Sequence, residues 1–249
     1  EKIKNIIIEN ASSFGEDSNK DNNITGFLPK PHPQDLLYHN LSNAAVYVFS
    51  PQIFDYIEKD VKADLGKDIF PKILQNGGKL RAYKTAEFIK DMGTVDRLAQ
   101  ISQDVEQGKV SKYNKRNPRP AIFLDRDGTL NVNMDTQPSA EKFFLLPHVA
   151  EAIKKINESG YLAIVVTNQP MIAKGFTTFS EVEKTHKKLE TLLGEGQAYI
   201  DGIYYCPHHP QKGFLGEVSE LKIECNCRKP KIGMFLQAAK DFNIDLKAS

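Results

Sequence analysis

Hydrophobic positions in the second half of the chain fall into continuous runs separated by segments of helical spacing. Residues 121–124 and 161–166 are continuous apolar runs, which are typical of parallel strands covered on both faces. Residues 200–206 have a third strand pattern. Apolar residues recur every three or four positions in residues 147–159, 179–193 and 232–242. This alternation predicts an α/β fold, with a doubly wound parallel sheet and helices on both of its faces.

The first 108 residues have a less regular pattern. Strands are predicted for residues 6–8, 24–27 and 43–49, and helices for residues 51–60 and 94–105. The polar, basic stretch 109–119, followed by Pro120, is typical of a solvated connector. We therefore expect a smaller α/β domain in residues 1–108, a linker in residues 109–119 and a second domain in residues 120–249.

Composition narrows the class of protein. With 249 residues, 40% hydrophobic and 26% charged, the chain has the make-up of a globular protein with one large or two ordinary domains. A net charge of +1 gives no electrostatic reason to expect nucleic acid or an anionic membrane as a partner. No apolar run approaches the roughly 18 residues of a membrane span, and the first residues lack the plan of a signal peptide. Cytoplasm is the expected location.

Two carboxylates follow the first strand of the second half. Asp125 and Asp127 are separated by one residue, and ligands of open α/β sheets bind at such carboxyl ends. Because two acids this close repel each other, we expect either a cation such as Mg²⁺ between them or one protonated acid. Thr167 ends the next strand, so its hydroxyl should face the acids. The alternative is an Asp-Gly turn with an unrelated acid beside it.

All three cysteines lie between positions 206 and 227. Cys206 and His208 form one close pair of soft ligands, and Cys225 and Cys227 form another. Three sulfurs and one imidazole suit tetrahedral Zn²⁺, and four protein ligands leave no open position, so the site should be structural. An odd number of cysteines favours metal over disulfides. Three buried free thiols are the alternative, and His209 could replace His208.

Several of these motifs also resemble a known family. The segment Asp125-Arg-Asp-Gly-Thr-Leu-Asn131, the triplet Thr167-Asn-Gln169, the two zinc-ligand pairs and Arg228-Lys229 resemble the haloacid-dehalogenase-like phosphohydrolases. Within them, the motifs are similar to the branch of heptose-bisphosphate and histidinol-phosphate phosphatases. The resemblance covers residues 120–249.

The resemblance implies a role for each motif residue. Asp125 is the expected nucleophile and Asp127 the general acid and base, and Mg²⁺ is bound by Asp125 and the backbone carbonyl of Asp127. Thr167 and Lys229 stabilise the transferring phosphoryl group. The expected substrate contacts are Arg126, Asn133, Asp135, Asn168, Gln169 and Arg228.

The sequence also departs from this family. Pro170-Met-Ile172 replaces the usual Ser-Gly-Ile, and the chain stops at Ser249 before the Gly-Asp signature that supplies another magnesium ligand. We therefore expect the phosphatase domain to be truncated, with weak magnesium binding and low activity.

The first half resembles a second family. Phe27-Leu-Pro-Lys-Pro31, Asn43-Ala-Ala45 and Lys90-Asp-Met-Gly-Thr94 are similar to segments of the C-terminal half of sugar-1-phosphate nucleotidyltransferases. In that family the first segment holds a sugar phosphate and the last supplies a metal-binding carboxylate, here Asp91. A glycine-rich phosphate loop is missing, so this half is not expected to transfer nucleotides by itself.

Together these patterns predict a magnesium-dependent phosphomonoester hydrolase for a small phosphorylated sugar. The expected substrate is D-glycero-D-manno-heptose 1,7-bisphosphate, because fusion to a piece that resembles a sugar-nucleotide-forming enzyme suits consecutive steps. Histidinol phosphate is the alternative within the class. Outside it, the alternatives are a nucleotidyltransferase fragment and a non-catalytic, zinc-stabilised binding module.

Overall fold

The computed structural model describes most of the chain. The described residues are 7–10, 23–28, 36–90, 92–133 and 139–249. They belong to two compact units, Glu1–Thr85 and Ala86–Ser249. The predicted sites at Lys30 and Asp91 lie outside the described residues. No helix in the described ranges is long and apolar enough to cross a bilayer.

The first unit contains a small antiparallel sheet and short helical segments. Strand β1 (Ile7–Asn10) pairs with β2 (Ile24–Leu28). A 3₁₀ helix (Pro51–Tyr56), a π-helix (Leu65–Ile69) and helix α1 (Phe70–Gln75) follow. The buried cluster of this unit consists of Ile53, Ile69, Phe70 and Ile73. The helix predicted for residues 51–60 is therefore only a short 3₁₀ turn.

The strand predicted for residues 43–49 is wrong. Side chains do alternate there: Tyr47 and Phe49 stack on each other and contact Phe70, whereas Val46 and Val48 are 74% and 99% exposed. However, in the part of the chain that the structure describes, no strand pairs with this segment. Alternation alone cannot create a strand, because a strand needs a partner for its backbone groups.

The second unit is built on a three-stranded parallel sheet. Its strands are β3 (Ala121–Leu124), β4 (Leu162–Asn168) and β5 (Gly202–Cys206), in the order β3–β4–β5. Residue Leu124 lies opposite Val165 in the register. The three predicted strands and their parallel arrangement are therefore confirmed, and all three carboxyl ends lie at one edge of the sheet.

Helices cover both faces of this sheet. On one face, α4 (Val149–Ser159) and α5 (Phe179–Glu195) pack against Ala163 and Val165 of β4. On the other, α6 (Gly233–Phe242) packs against the alternate residues of the same strand, Leu162, Ile164 and Val166. A strand that is buried on both faces explains the continuous apolar run. The doubly wound α/β fold is confirmed.

Residues 86–119 belong to the second unit. Helix α2 (Val95–Glu106) begins at Thr94, whose side chain accepts a hydrogen bond from the backbone N–H of Arg97. Asp104 is buried on this helix and pairs with Lys90 at 2.9 Å and Lys109 at 2.6 Å. These contacts join the helix to the segments directly before and after it.

The segment 109–119 is not a free connector. It starts with helix α3 (Lys109–Lys112). Arg119 donates from its backbone N–H to the carbonyl of Asn243 and from its guanidinium to the carbonyl of Gly160. Hydrogen bonds therefore hold this basic segment within the second unit, and its expected role as a linker stays a prediction. The domain limits themselves stay a prediction.

Candidate active site

The loop after β3 turns back on itself and brings Asn131 beside Asp127. Gly128 has a φ of +78°, a backbone conformation that favours glycine. Its N–H donates to the carbonyl of Asn131, and the N–H of Leu130 donates to the carbonyl of Arg126, both at 2.8 Å. The Asp-Gly turn predicted from the sequence is therefore present, and it shapes the carboxyl edge of the sheet.

Donor groups surround the carboxylate of Asp127. Arg126 donates to both of its oxygens at 2.9–3.2 Å. Asn131 Nδ2 donates to Oδ1 at 3.0 Å and Gln169 Nε2 to Oδ2 at 2.7 Å. Burial raises the pKa of Asp127, but the Arg126 charge and these hydrogen bonds outweigh it and hold the pKa below its ordinary value. Asp127 is thus preorganised as a carboxylate.

Arg126 is a buried residue of the acid loop. Its side chain is 0% exposed. Besides Asp127, its guanidinium contacts the hydroxyl of Thr185 at 3.2 Å and Nε2 of His186 at 3.1 Å, both on α5. Its donors are directed into the protein, and its expected contact with substrate stays a prediction.

Asp125 is the accessible acid of the pair. Its side chain is 47% exposed, and its Oδ2 lies 2.7 Å from Nζ of Lys229. Its Oδ1 accepts a hydrogen bond from the backbone N–H of Arg126. The other oxygen is thus paired with a cation and still reachable from solvent, as a nucleophile has to be.

Strand β4 fixes the position of Lys229. Nζ of Lys229 donates to the carbonyl of Val166 at 2.9 Å. The amide of Asn168 accepts from the backbone N–H of Lys229 at 2.9 Å and donates to its carbonyl at 3.2 Å. Asn168 was expected to contact substrate, but its amide is engaged by this backbone. It is a positioning residue in the structure.

Thr167 and Gln169 are both buried at the end of β4. The amide of Gln169 donates to the hydroxyl of Thr167 and to Asp127, and its backbone N–H donates to the carbonyl of Cys206. The side chain of Gln169 thus holds the acid, and its expected contact with substrate stays a prediction. The hydroxyl of Thr167 is covered, and its contact with a phosphoryl group stays a prediction.

The charges of the two acids are balanced by two cations of the same chain. Arg126 contacts Asp127 and Lys229 contacts Asp125. The sequence predicted either a cation between the acids or one protonated acid. The chain itself supplies cations, because each carboxylate has its own counter-ion. Magnesium at this place stays a prediction.

The four predicted zinc ligands converge. The ligand atoms of Cys206, His208, Cys225 and Cys227 all lie within 4.8 Å of one another. The three sulfurs are 3.2–3.5 Å apart, and Nδ1 of His208 lies 3.2 Å from Sγ of Cys227. A tetrahedral zinc with Zn–S bonds of about 2.3 Å separates its ligands by about 3.8 Å. The cluster therefore fits Zn²⁺ after a small expansion, and it includes His208 and not His209.

The remaining predicted substrate contacts lie around these groups. Arg228 donates from its guanidinium to the carbonyl of His208 at 3.2 Å, which links it to the cysteine cluster. Asn133 is exposed, and Asp135 lies outside the described residues. Their contacts with substrate stay predictions.

Sequence reasoning missed the residues that support the acids. Asn131 is buried and donates to Asp127, and Thr185 and His186 hold Arg126. Asn131 stands inside the acid motif and could have been singled out there. Thr185 and His186 lie about sixty positions away in the sequence, on an amphipathic helix. Threonine and histidine are common on such helices, so nothing in the sequence singles out these two residues.

Comparisons with known proteins agree with this geometry. A protein-family model described as polynucleotide kinase 3 phosphatase matches residues 121–249, more than half of the chain. A second model, described as nucleotidyl transferase, matches residues 5–108.

Individual relatives cover the second unit. The D-glycero-beta-D-manno-heptose-1,7-bisphosphate 7-phosphatase of Escherichia coli strain K12 is 42% identical over 130 residues, which are 52% of this chain and 66% of that protein. The protein of the same name from Haemophilus ducreyi is 41% identical over 128 residues, or 51% of this chain and 68% of that protein. The chain thus spans about two thirds of the length of these relatives.

A solved structure matches the same region. It is a D,D-heptose 1,7-bisphosphate phosphatase from B. bronchiseptica in complex with magnesium and phosphate, with 30% identity and a TM-score of 0.44 over 51% of this chain and 65% of that one. The matches of family model and sequence confirm the resemblance to heptose-bisphosphate phosphatases. The chain therefore belongs to the family described as polynucleotide kinase 3 phosphatase, with heptose-bisphosphate phosphatases among its relatives.

Proposed function

We propose that the second unit hydrolyses phosphomonoesters through an aspartyl-phosphate, with D-glycero-D-manno-heptose 1,7-bisphosphate as substrate. The observation that carries this proposal is the different environment of the two acids. Asp125 is half-exposed with one lysine against it, and Asp127 is enclosed by donors from Arg126, Asn131 and Gln169. The first environment suits a nucleophile, and the second suits an acid and base that must keep its orientation.

In the first step, a carboxylate oxygen of Asp125 attacks phosphorus and the bond from phosphorus to the sugar oxygen breaks. Asp127, in its protonated form, gives its proton to the leaving oxygen. The negative charge of a bound phosphate raises the pKa of a nearby carboxyl, which lets Asp127 take up a proton despite its low pKa in the free protein. Lys229 faces the charge that develops on the phosphoryl group.

In the second step, the carboxylate of Asp127 removes a proton from water. The water oxygen attacks phosphorus, the bond from phosphorus to Asp125 breaks, and phosphate leaves. The pKa of Asp127, which is low in the structure, suits this basic role directly. Asp125 is then free again, and Asp127 holds the proton from water, as it did at the start of the first step.

Magnesium fits the exposed side of the site. The carboxylate of Asp125 and the backbone carbonyl of Asp127 would hold the ion, because Mg²⁺ takes oxygen ligands and keeps several waters. When bound, it would neutralise charge on the phosphoryl oxygens. Asp125 has the exposure for this role, and the side chain of Asp127 does not need to take part.

Zinc would be held by Cys206, His208, Cys225 and Cys227. These residues fit the ion as a closed set of four soft ligands. Its role would be structural: the cluster lies one residue before Arg228 and two before Lys229, and it ties the end of β5 to the loop that carries both cations.

The identity of the substrate is supported from two sides. Both relatives reported above are named as heptose-bisphosphate 7-phosphatases. Removal of the 7-phosphate leaves a sugar 1-phosphate, which is the class of substrate that a sugar-1-phosphate nucleotidyltransferase consumes, and residues 5–108 match a nucleotidyl transferase model. Histidinol phosphate offers no such link.

The test measures phosphate release with magnesium from heptose bisphosphate and from histidinol phosphate, for wild type and Asp125→Asn. We expect faster release from the heptose substrate and a loss of at least about 10³-fold in the variant. Asp201→Asn is the matched control, because it makes the same change at the opposite edge of the sheet. Equal activity of wild type and Asp125→Asn would refute the proposed nucleophile, and preference for histidinol phosphate would refute the substrate.

A further inference from the structure

The buried contacts of Arg126 extend from the acid loop to α5. NH1 of Arg126 lies 3.1 Å from Nε2 of His186. A guanidinium only donates, so Nε2 must be the acceptor and the ring must be neutral with its proton on Nδ1. Nδ1 lies 3.8 Å from the carboxylate of Glu183. Hydrogen bonds thus connect His186 through Arg126 to Asp127, and the carboxylate of Glu183 lies near the other side of the imidazole.

The burial of His186 agrees with a neutral ring. The side chain is 3% exposed. Burial lowers the pKa of His186, and the Arg126 charge lowers it further, while the hydrogen bond and charge of Glu183 act in the opposite direction. The remaining NH1 contact is the hydroxyl of Thr185, which in turn donates to the carbonyl of Val182. The guanidinium is thus fixed on two sides.

We propose that His186 is a positioning residue for the reaction: by accepting a hydrogen bond from Arg126, it fixes the guanidinium that orients Asp127. No geometry in the site links His186 directly to the place of the phosphoryl group. Asn131 and Gln169 also hold Asp127, but of the three residues only Arg126 donates to both of its oxygens. The nitrogen NH1, which does not bind Asp127, is held by the imidazole of His186 and by the hydroxyl of Thr185. Loss of the imidazole should therefore leave this nitrogen with one anchor instead of two.

This proposal rests on the proposed function, because the readout is protonation of the leaving group. An alcohol leaves only with a proton from Asp127, whereas p-nitrophenolate leaves without one. Loss of Asp127 orientation should therefore slow release of the sugar more than release of p-nitrophenol. A general loss of folding would slow both reactions equally.

The experiment measures single-turnover release from heptose bisphosphate and from p-nitrophenyl phosphate. In His186→Phe, which fills the space without an acceptor, we expect the sugar reaction to slow at least about 10-fold more than the aryl reaction. His186→Gln keeps an acceptor and should restore most of the wild-type ratio of the sugar rate to the aryl rate. Leu193→Val is the control: it is a buried residue of the same helix that packs in the core, so it should destabilise the protein with an unchanged ratio.

A second readout does not depend on activity. The Nε–H of Arg126 should exchange slowly with water in wild type and His186→Gln, and faster in His186→Phe, as followed by ¹⁵N NMR. Equal slowing of both substrates in His186→Phe, or an unchanged exchange rate, would overturn the proposal. Failure of the wild type to hydrolyse either substrate would instead refute the proposed function, and the exchange measurement would still decide the contact of His186.

Discussion

Asp127 at the carboxyl edge of the parallel sheet and Asp201 at its amino edge are both partly buried, and they differ in the groups placed against them. Asp127 is bonded by the guanidinium of Arg126, and its pKa is lowered. Asp201 accepts one hydrogen bond from the backbone N–H of Ala163. Burial raises the pKa of Asp201 to about 6, although that hydrogen bond and the Arg119 charge act in the opposite direction.

Both edges have an asparagine whose side-chain amide bonds the backbone of a distant residue. At the carboxyl edge, the amide of Asn168 bonds both backbone groups of Lys229. Beside the amino edge, the amide of Asn157 bonds both backbone groups of Tyr199 in the same way. The fold thus uses similar polar contacts at both edges. The carboxyl edge differs because each of its acids has a cation against it, Arg126 at Asp127 and Lys229 at Asp125. That difference identifies the site of chemistry more clearly than the presence of acids does.

The largest effect should come from breaking the metal cluster of the carboxyl edge. Cys225→Ser removes one of four converging ligands, so the protein should lose its zinc, and the melting temperature should fall by at least about 10 °C because metal binding is coupled to folding. Metal analysis and thermal unfolding check this. Wild-type protein that carries no zinc when purified without chelator would contradict the assignment.

Removing the cation would make Asp127 resemble Asp201. Arg126→Met leaves a partly buried carboxylate without its counter-ion and with only the donors of Asn131 and Gln169. We expect a loss of about 3 kcal/mol in the free energy of unfolding at pH 7. The folded pKa of Asp127 is depressed, so the stability it contributes is present above its unfolded pKa and is lost as the pH falls through the folded value.

The pH dependence of this variant is therefore part of the prediction. Urea unfolding should show a large difference between wild type and Arg126→Met at pH 7. The difference should shrink as the pH falls to about 4 and below, because the uncompensated carboxyl of the variant takes up a proton before that of the wild type. The same difference at both pH values would mean that Arg126 acts by packing and not through the charge of Asp127.

Asp201→Asn tests the amino edge of the sheet, where we expect the substitution to stabilise the protein. Because the folded pKa of Asp201 is raised to about 6, its stabilising contribution is present below the unfolded pKa and is lost as the pH rises from about 4 to about 6. The neutral Asn variant should thus be more stable than wild type by about 2–3 kcal/mol at pH 7, and equally stable at pH 4. Chemical unfolding at the two pH values decides it, and destabilisation at pH 7 would contradict the inferred environment.

The smallest effects should come from replacing the two asparagines. Asn168→Ala and Asn157→Ala should each lose about 1 kcal/mol of stability, because each removes a pair of backbone contacts. Only Asn168→Ala should also slow phosphate release, by about 10-fold, since Lys229 loses its fixed position. Equal activity of the two variants would show that Asn168 is a structural residue only.

Local patterns account for what the sequence predicted well. The strands at 121–124 and 161–166 and the helix that follows Thr94 depend on runs and caps within a few residues. The strand predicted for residues 43–49 was wrong because strand pairing depends on a partner elsewhere in the chain.

The candidate site shows the same division. Spacing in the sequence was enough to find the two acids and the metal ligands Cys206 and His208. The partners of the acids could not be found in this way, because they come close only when the chain folds. Arg126 is adjacent to both acids, yet its direction into the protein depends on Thr185 and His186 of α5. A charge beside an acid in sequence therefore does not reveal whether it faces substrate or core.

The central claim is that the half-exposed Asp125 is the nucleophile and the enclosed Asp127 is not. The most direct measurement is to incubate Asp127→Asn with p-nitrophenyl phosphate and magnesium, quench with acid and locate the phosphate by peptide mass spectrometry. Asp127→Asn still has the nucleophile but lacks the base that activates water, so the account predicts phosphate trapped on Asp125. Phosphate on another residue, or full turnover by Asp125→Asn, would contradict it.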